Sequence, residues 1–192
     1  MDLKAGFRWL NPPPDFQIRD DAIFARTGAK TDFWQDTFYG FRRDSGHFYG
    51  KPVTGDFTAE VTIHGGYEAL YDQAGLMARI DEHHWVKAGI EQSDGEAYLS
   101  VVVTNAHSDW SLIKFDRAAD GARIRLTRHG EAIRVQYVAP SDAGWKLARL
   151  AYLKPTASLE VGVMCCSPER EGFEVTFRDF TIGPPISRQL HD

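Results

Sequence analysis

Residues 71–91 read YDQAGLMARIDEHHWVKAGIE, and the side chains of this stretch alternate in character. Because successive side chains of a β-strand point to opposite faces, a period of two predicts a pair of strands with one buried and one polar face. The even positions supply the apolar face through Ala74, Leu76, Ala78, Ile80, Val86, Ala88 and Ile90. The odd positions supply the other face through Gln73, Met77, Arg79, Lys87 and Glu91. The first face is expected to pack in the core of the protein, and the charged second face is a candidate functional surface.

The same alternation recurs along most of the chain, while no segment keeps a helical stripe of apolar residues for three turns. Turn residues such as Ser93-Asp94-Gly95 separate the alternating segments. Strands are predicted at residues 21–26, 57–64, 73–80, 85–91, 97–104, 122–128, 132–138, 145–152, 159–165 and 173–182. Many short strands at this spacing predict an all-β fold, a two-sheet antiparallel β-sandwich, with residues 1–192 in a single domain.

Composition and charge exclude several classes of protein. The 192 residues are 43% hydrophobic and 26% charged, close to the average of soluble proteins. No apolar run approaches the roughly 20 residues of a membrane-spanning helix, so no membrane partner is predicted. The net charge of −5 argues against nucleic acid as a partner. The first residues lack the basic start and apolar stretch of a signal peptide, which predicts a cytoplasmic protein.

The cysteines and the paired histidines do not form a metal site in this reading. Cys165 and Cys166 are adjacent, so a disulfide between them would strain the backbone. They alternate across a predicted strand, and one of them should face the core as a small hydrophobe. His83 and His84 fall in the predicted turn, where adjacent residues point apart. No histidine or cysteine spacing matches a zinc site, so no metal is predicted from these residues.

Four sequence blocks occur in an order that resembles a known family. They are FRWLNPPPDF at 7–16, TDFWQDTFYG at 31–40, the segment 55–91, and LSVVVTNAHSDWS at 99–111. Together they resemble the DUF1349 family, some of whose members are described as regulation of enolase proteins, over essentially the whole chain. The resemblance implies a concanavalin A-like jelly roll, similar to lectins and glucanases, whose concave sheet holds a carbohydrate in many such proteins. It also implies a possible role as a regulatory protein-interaction module.

Two registers are available to the hairpin formed by the first stretch, because only residues of the same face can pair. One register places Arg79 opposite Lys87, which requires an anion beside them, either Glu91 or a bound carboxylate. The other places Arg79 opposite Trp85 and Gln73 opposite Glu91. In both registers the polar residues share one surface with glycines, which leave room above the sheet.

Neighbouring segments extend this surface into a candidate ligand site. Glu60 belongs to the polar face of the strand at 57–64, while Trp34 and Trp110 lie in short polar segments interpreted as loops. Aromatic rings stack on sugar rings, and carboxylates and amides bind their hydroxyls. The predicted ligand-binding residues are Trp34, Glu60, Tyr71, Gln73, Arg79, Lys87, Glu91 and Trp110. A solvated sheet face, with tryptophans that plug the ends of the core, would give the same pattern.

The sequence assigns no catalytic residues. Retaining glucanases of the similar fold carry E-x-D-x-x-E or E-x-D-x-E on one strand, because two carboxyl groups about 5 Å apart must flank the bond. Residues 91–96 read EQSDGE, which has the wrong spacing and runs into a turn. Glu60 and Glu91 can still pair across the groove, with Lys87 keeping one carboxylate ionised.

The leading hypothesis is a lectin-like protein that binds a small carbohydrate or sugar-like metabolite on its concave sheet. The alternatives are the protein-interaction module and an undescribed carbohydrate-active hydrolase or lyase. No cofactor is predicted, although structural calcium occurs in many proteins of similar fold. The candidate oxygen ligands for calcium are Asp72, Asp81, Asp94 and Asp109. Both a monomer and a homodimer are compatible with the sequence.

Overall fold

The computed structural model describes residues 2–19, 21–114 and 121–190, and their alternating segments form two stacked antiparallel sheets. In chain order the strands are β1 (Arg8–Leu10), β2 (Asp15–Arg19), β3 (Ala22–Arg26), β4 (Phe33–Gln35), β5 (Arg42–Asp44), β6 (His47–Thr54), β7 (Phe57–Gly65), β8 (Gln73–Asp81), β9 (His84–Ser93), β10 (Glu96–Asn105), β11 (His107–Ile113), β12 (Ala122–His129), β13 (Ala132–Val138), β14 (Lys146–Tyr152), β15 (Ser158–Cys166) and β16 (Glu174–Gly183). Among the described residues, no helix is long and apolar enough to cross a membrane.

The strands are distributed over three layers. The front sheet has the order β1-β6-β15-β8-β9-β10-β11, and the back sheet has the order β14-β13-β12-β7-β16-β3-β2. Strands β4 and β5 pair only with each other and form the cover hairpin. This arrangement confirms the predicted all-β, two-sheet antiparallel sandwich.

Every predicted strand is present, with ends that differ by a few residues. The prediction missed β1, β2, β4, β5, β6 and β11. Strands β4 and β5 have three residues each, too few for an alternating pattern to be recognised. The interpretation of the segments around Trp34 and Trp110 as loops is wrong. Trp34 lies in strand β4 and pairs with β5, and the segment around Trp110 pairs along its length with β10 as strand β11.

The central hairpin adopts the second of the two registers. Gln73 lies opposite Glu91, and Arg79 lies opposite Trp85. Lys87 is therefore opposite Met77 rather than opposite another cation. The register avoids the repulsion between two directly facing cations, which is the physical reason to prefer it.

The apolar face of this hairpin packs in the core between the two sheets. Leu76 and Val86 of the front sheet belong to the same buried cluster as Ile63, Ile124 and Phe177 of the back sheet. Burial of each such side chain contributes roughly 1.5–3 kcal/mol to stability. The period of two thus places one complete face of β8 and β9 in the core.

A second apolar cluster lies on the outer face of the front sheet, where the cover hairpin packs. Phe33 and Trp34 of the hairpin meet Met77, Trp85 and Val102 of the sheet. The alternative of a solvated sheet face is therefore wrong at the centre of the sheet. Residues that the sequence places on a polar surface are buried here, with Lys87 3% and Glu91 4% exposed.

The two neighbouring cysteines lie on opposite sides of the front sheet. Cys165 belongs to the core cluster between the sheets, and Cys166 belongs to the cluster under the cover hairpin. Both are free and fully buried, and burial raises the pKa of each thiol. The thiols are therefore protonated and unreactive in the folded protein.

Candidate functional site

An inner cavity of about 210 Å³ lies between the cover hairpin and the front sheet. This volume is below the roughly 300–1,000 Å³ of sites for drug-sized ligands, so it suits a smaller molecule. The predicted residues that line it are Trp34, Tyr71, Gln73, Lys87, Glu91 and Trp110. The alternation of β8 and β9 sends Gln73, Lys87 and Glu91 to the cavity side, while the hairpin supplies Trp34 and strand β11 supplies Trp110.

Lys87 holds the layers together at the floor of the cavity. Its Nζ donates to the backbone carbonyl of Phe33 at 2.9 Å and to Oε1 of Gln73 at 2.6 Å. Oδ1 of Asp32 lies 3.6 Å from the same nitrogen. The ammonium group of Lys87 therefore contacts oxygen atoms of both the sheet and the cover hairpin, and it fixes the hairpin over the sheet.

Glu91 is the buried carboxyl group at the end of the cavity. Burial raises its pKa to about 7, against the opposing effects of nearby Lys87 and of hydrogen bonds with Ser100 and Trp110. Nε1 of Trp110 also donates to Oγ of Ser100 at 3.1 Å. Near neutral pH the carboxyl group is present in both forms, so it can accept or donate a hydrogen bond to a ligand hydroxyl.

The raised pKa of Glu91 makes stability depend on pH. The folded protein binds the proton more tightly than the unfolded chain, whose carboxyl group has a pKa of 4.5. The free energy of unfolding therefore falls by about 3 kcal/mol as the pH rises from below 4.5 to above 7. Glu91→Gln should remove this component, and urea unfolding at pH 5 and pH 8 measures it as a difference from wild type. An equal difference between variant and wild type at both pH values would contradict the assignment.

Aromatic residues form the walls and the mouth of the cavity. The hydroxyl groups of Tyr39 and Tyr71 are 2.9 Å apart, which joins the cover hairpin to the loop before β8. This hydrogen bond is the main cause that raises the pKa of Tyr71 to about 12. Tyr39 stacks on Phe41 with ring centroids 5.2 Å apart, and Tyr71 meets Trp110 edge-on at 6.1 Å. Ring faces and hydroxyl groups therefore surround the opening.

Asp72 fixes the loop that carries Tyr71. Its carboxylate is completely buried and accepts hydrogen bonds from Oγ of Ser167 at 3.0 Å and Nε of Arg170 at 2.8 Å. Two backbone N–H groups of the same loop donate to it at 3.1 and 3.0 Å. Because Ser167 and Arg170 follow β15, this carboxylate ties the cavity mouth to the end of a central strand.

Two predicted site residues lie outside the inner cavity. Arg79 shares the outer face of the front sheet, but its guanidinium group pairs with Asp44 at 2.7 Å, away from the cavity. Glu60 lies in the back sheet and pairs with Arg123 at 3.3 Å. The proposed pairing of Glu60 with Glu91 is therefore wrong. The prediction assumed that consecutive strands are neighbours, whereas the chain crosses between the sheets from β7 to β8.

The prediction also missed residues that line the cavity. Tyr39, Phe41 and Arg43 come from the cover hairpin, and Glu169 follows β15. The signal that could have found the first two is the aromatic density around residues 33–41. Arg43 stacks over Phe41, with the guanidinium carbon 4.3 Å from the ring centroid, and no periodic pattern indicates this contact.

The part of the chain that the structure describes contains no group of three or more His, Cys, Asp or Glu residues arranged to hold a metal ion. Three of the aspartates considered for calcium are bound by protein groups. Asp72 is bound by Arg170, Asp81 by His84 at 2.7 Å and Lys154 at 3.2 Å, and Asp109 by Arg149 at 2.9 Å. Calcium binding by these aspartates would need those contacts to break.

Two packed antiparallel sheets, with an aromatic-walled cavity on one outer face, define the class of the protein as an antiparallel β-sandwich. The chain belongs to the DUF1349 family, described as a protein of unknown function, whose model matches residues 9–185. The family resemblance of the sequence blocks is thus confirmed over nearly the whole chain.

Similar proteins fall into a close and a distant group. Regulation of enolase protein 1 of Saccharomyces cerevisiae is 46% identical over 96% of this chain and 92% of its own length. A crystal structure of a functionally unknown protein from the same yeast has a TM-score of 0.92, with 44% identity over 97% of this chain and all of that one. A bifunctional GH43-CE protein from Bacteroides eggerthii has a TM-score of 0.71 at 13% identity, covering 97% of this chain and 24% of that one. This distant likeness shows the fold alone.

Proposed function

We propose that the protein binds a small carbohydrate or sugar-like metabolite in the inner cavity. The observation that carries the proposal is the combination of a buried hydrogen-bonding floor with aromatic walls in one cavity of about 210 Å³. Ring faces such as those of Trp34 and Trp110 stack on the apolar faces of sugars, and carboxyl groups bind sugar hydroxyls.

The charges of the site favour a ligand without a negative charge. Lys87 already pairs with Asp32 and donates to the oxygens of Phe33 and Gln73. Three carboxyl groups, Asp32, Glu91 and Glu169, line the cavity against the two cations Lys87 and Arg43, so the lining on balance repels a buried anion. We therefore expect neutral sugars to bind more tightly than sugar acids.

A thermal-shift screen against monosaccharides, oligosaccharides and sugar acids tests the proposal. A ligand specific for the folded state stabilises it by about 2.7 kcal/mol at a hundred times its dissociation constant. We expect a neutral sugar to raise the melting temperature of the wild type, and we expect Glu91→Gln to remove most of that rise. Glu60→Gln is the matched control, because Glu60 lies in the back sheet and should leave the shift unchanged.

Failure of the whole panel with a well-folded protein would count against carbohydrate binding. It would favour the protein-interaction module, which the name of the yeast relative supports. Strand β14 is an edge strand of the back sheet, and its Leu150 and Tyr152 side chains are exposed. Exposed apolar residues on a sheet edge are a feature of surfaces that contact other proteins.

Catalysis would be a second step on the same site. Asp32 and Glu91 are the two carboxyl groups buried at the cavity, and Glu91 has the pKa suited to a general acid at neutral pH. Any sugar that binds should therefore be examined for turnover. Turnover by the wild type that is lost in Glu91→Gln, even at sugar concentrations that saturate the variant, would distinguish an enzyme from a lectin-like protein.

A further inference from the structure

A second, larger opening adjoins the inner cavity. This outer chamber has a volume of about 540 Å³ and lies between the tip of the cover hairpin and strand β11. Trp34, Tyr39 and Trp110 line both spaces, so these three aromatic residues lie at the boundary between them. The residues found only in the outer chamber are Thr37, Phe38, Ser108 and Asp109.

Phe38 is the most exposed large apolar residue described, at 93% of its surface. Its ring meets Tyr39 edge-on at 5.1 Å, at the rim of the outer chamber. A side chain this exposed contributes little to the stability of the core. An isolated exposed apolar residue is ordinary, but this one stands at the open end of an aromatic-lined chamber.

The backbone at Phe38 is strained. Its φ is +63°, and the N–H group of Tyr39 donates to the carbonyl oxygen of Thr37 at 2.7 Å. A hydrogen bond across two residues with a positive φ at the centre is the rare and strained form of the γ-turn. Glycine adopts positive φ without this cost, and a bulky residue there is an outlier that points to function.

We infer that the outer chamber is a second sugar subsite and that the ligand contains at least two linked sugar rings. One ring occupies the inner cavity, and the next stacks against Phe38 across the aromatic divide formed by Trp34 and Trp110. The carboxylate of Asp109, which Arg149 holds at 2.9 Å, lies at the edge of this subsite and can bind ring hydroxyls. The inference rests on the proposed function and adds the size class of the ligand.

The test compares each monosaccharide with its own disaccharide by isothermal titration calorimetry. The probes are glucose with cellobiose, xylose with xylobiose, and galactose with β-1,4-galactobiose. We expect one disaccharide to bind about tenfold more tightly than its monosaccharide. Phe38→Ala should weaken the binding of the disaccharide by about 3- to 10-fold, the range of one aromatic contact. The affinity for the monosaccharide should change by no more than about twofold.

Control variants separate stacking from general effects. Tyr152→Ala removes another exposed aromatic ring, on the back sheet, and should change neither affinity. Phe38→Gly should weaken disaccharide binding to the same extent as Phe38→Ala. It should also raise the melting temperature of the protein, because glycine relieves the strained turn. That pair of effects distinguishes a binding residue from one that supports the fold.

The possible results decide between the two proposals. Equal affinities for a monosaccharide and its disaccharide, unchanged in Phe38→Ala, would overturn the second subsite and leave the proposed function standing. The same would follow if Phe38→Ala weakened both sugars equally. If none of the sugars binds, the proposed function fails and the second subsite fails with it.

Discussion

Replacing Lys87 with methionine is expected to lower the free energy of unfolding by about 3 to 5 kcal/mol, the range for breaking a buried ion pair. Methionine keeps much of the volume but leaves Asp32 buried without its cation and the carbonyl of Phe33 without its donor. The cover hairpin would lose one of its polar attachments to the sheet, while the ion pair between Arg79 and Asp44 would remain. Urea denaturation of the variant and the wild type measures the effect.

A double variant tests whether the lost charge is the cause. Lys87→Met combined with Asp32→Asn should recover part of the stability, because it removes the unpaired carboxylate. Lys154→Met is the matched control, since that side chain is 40% exposed and pairs with Asp81 at the surface. It should cost at most about 1 kcal/mol. A comparable loss in both single variants would refute the special role of Lys87.

Asp72→Ala should destabilise the protein to a similar extent, by about 3 to 5 kcal/mol. The change removes a fully buried carboxylate and leaves Ser167, Arg170 and two backbone N–H groups without their acceptor. Guanidinium chloride unfolding gives the magnitude. The loop that carries Tyr71 should also become more mobile, which would weaken the binding of any ligand that contacts Tyr71 in the inner cavity.

The control for this change is Glu68→Ala. Glu68 pairs with the same Arg170 at 2.9 Å, but its side chain is 76% exposed. Solvent screens that pair, so little stability should be lost. If the two variants lost the same amount, the burial of Asp72 would not be what matters.

The sequence could predict which residues share a face, because alternation is a local property of the chain. It placed Leu76 and Val86 in the core and Gln73, Lys87 and Glu91 together on the other side, and the structure agrees. Register was reduced to two possibilities by the same rule. The choice between them depended on which pairs of side chains repel each other.

The sequence could not predict which sheet each strand joins. Glu60 follows the alternation as expected, yet its strand lies in the back sheet, because alternation carries no information about strand neighbours. The cover hairpin could not be predicted either, because its strands are short and it packs against residues that are distant in the sequence. The burial of Lys87 and the raised pKa of Glu91 follow from the cover hairpin, so the sequence could not predict them.

The two adjacent thiols allow lifting of the cover hairpin to be distinguished from separation of the two sheets. Cys166 faces the cluster under the cover hairpin, and Cys165 faces the space between the sheets. Lifting the hairpin exposes the first thiol to an alkylating reagent, whereas the second is exposed only when the sheets separate. Labelling rates at consecutive positions of one strand therefore report two different motions, without any engineered probe.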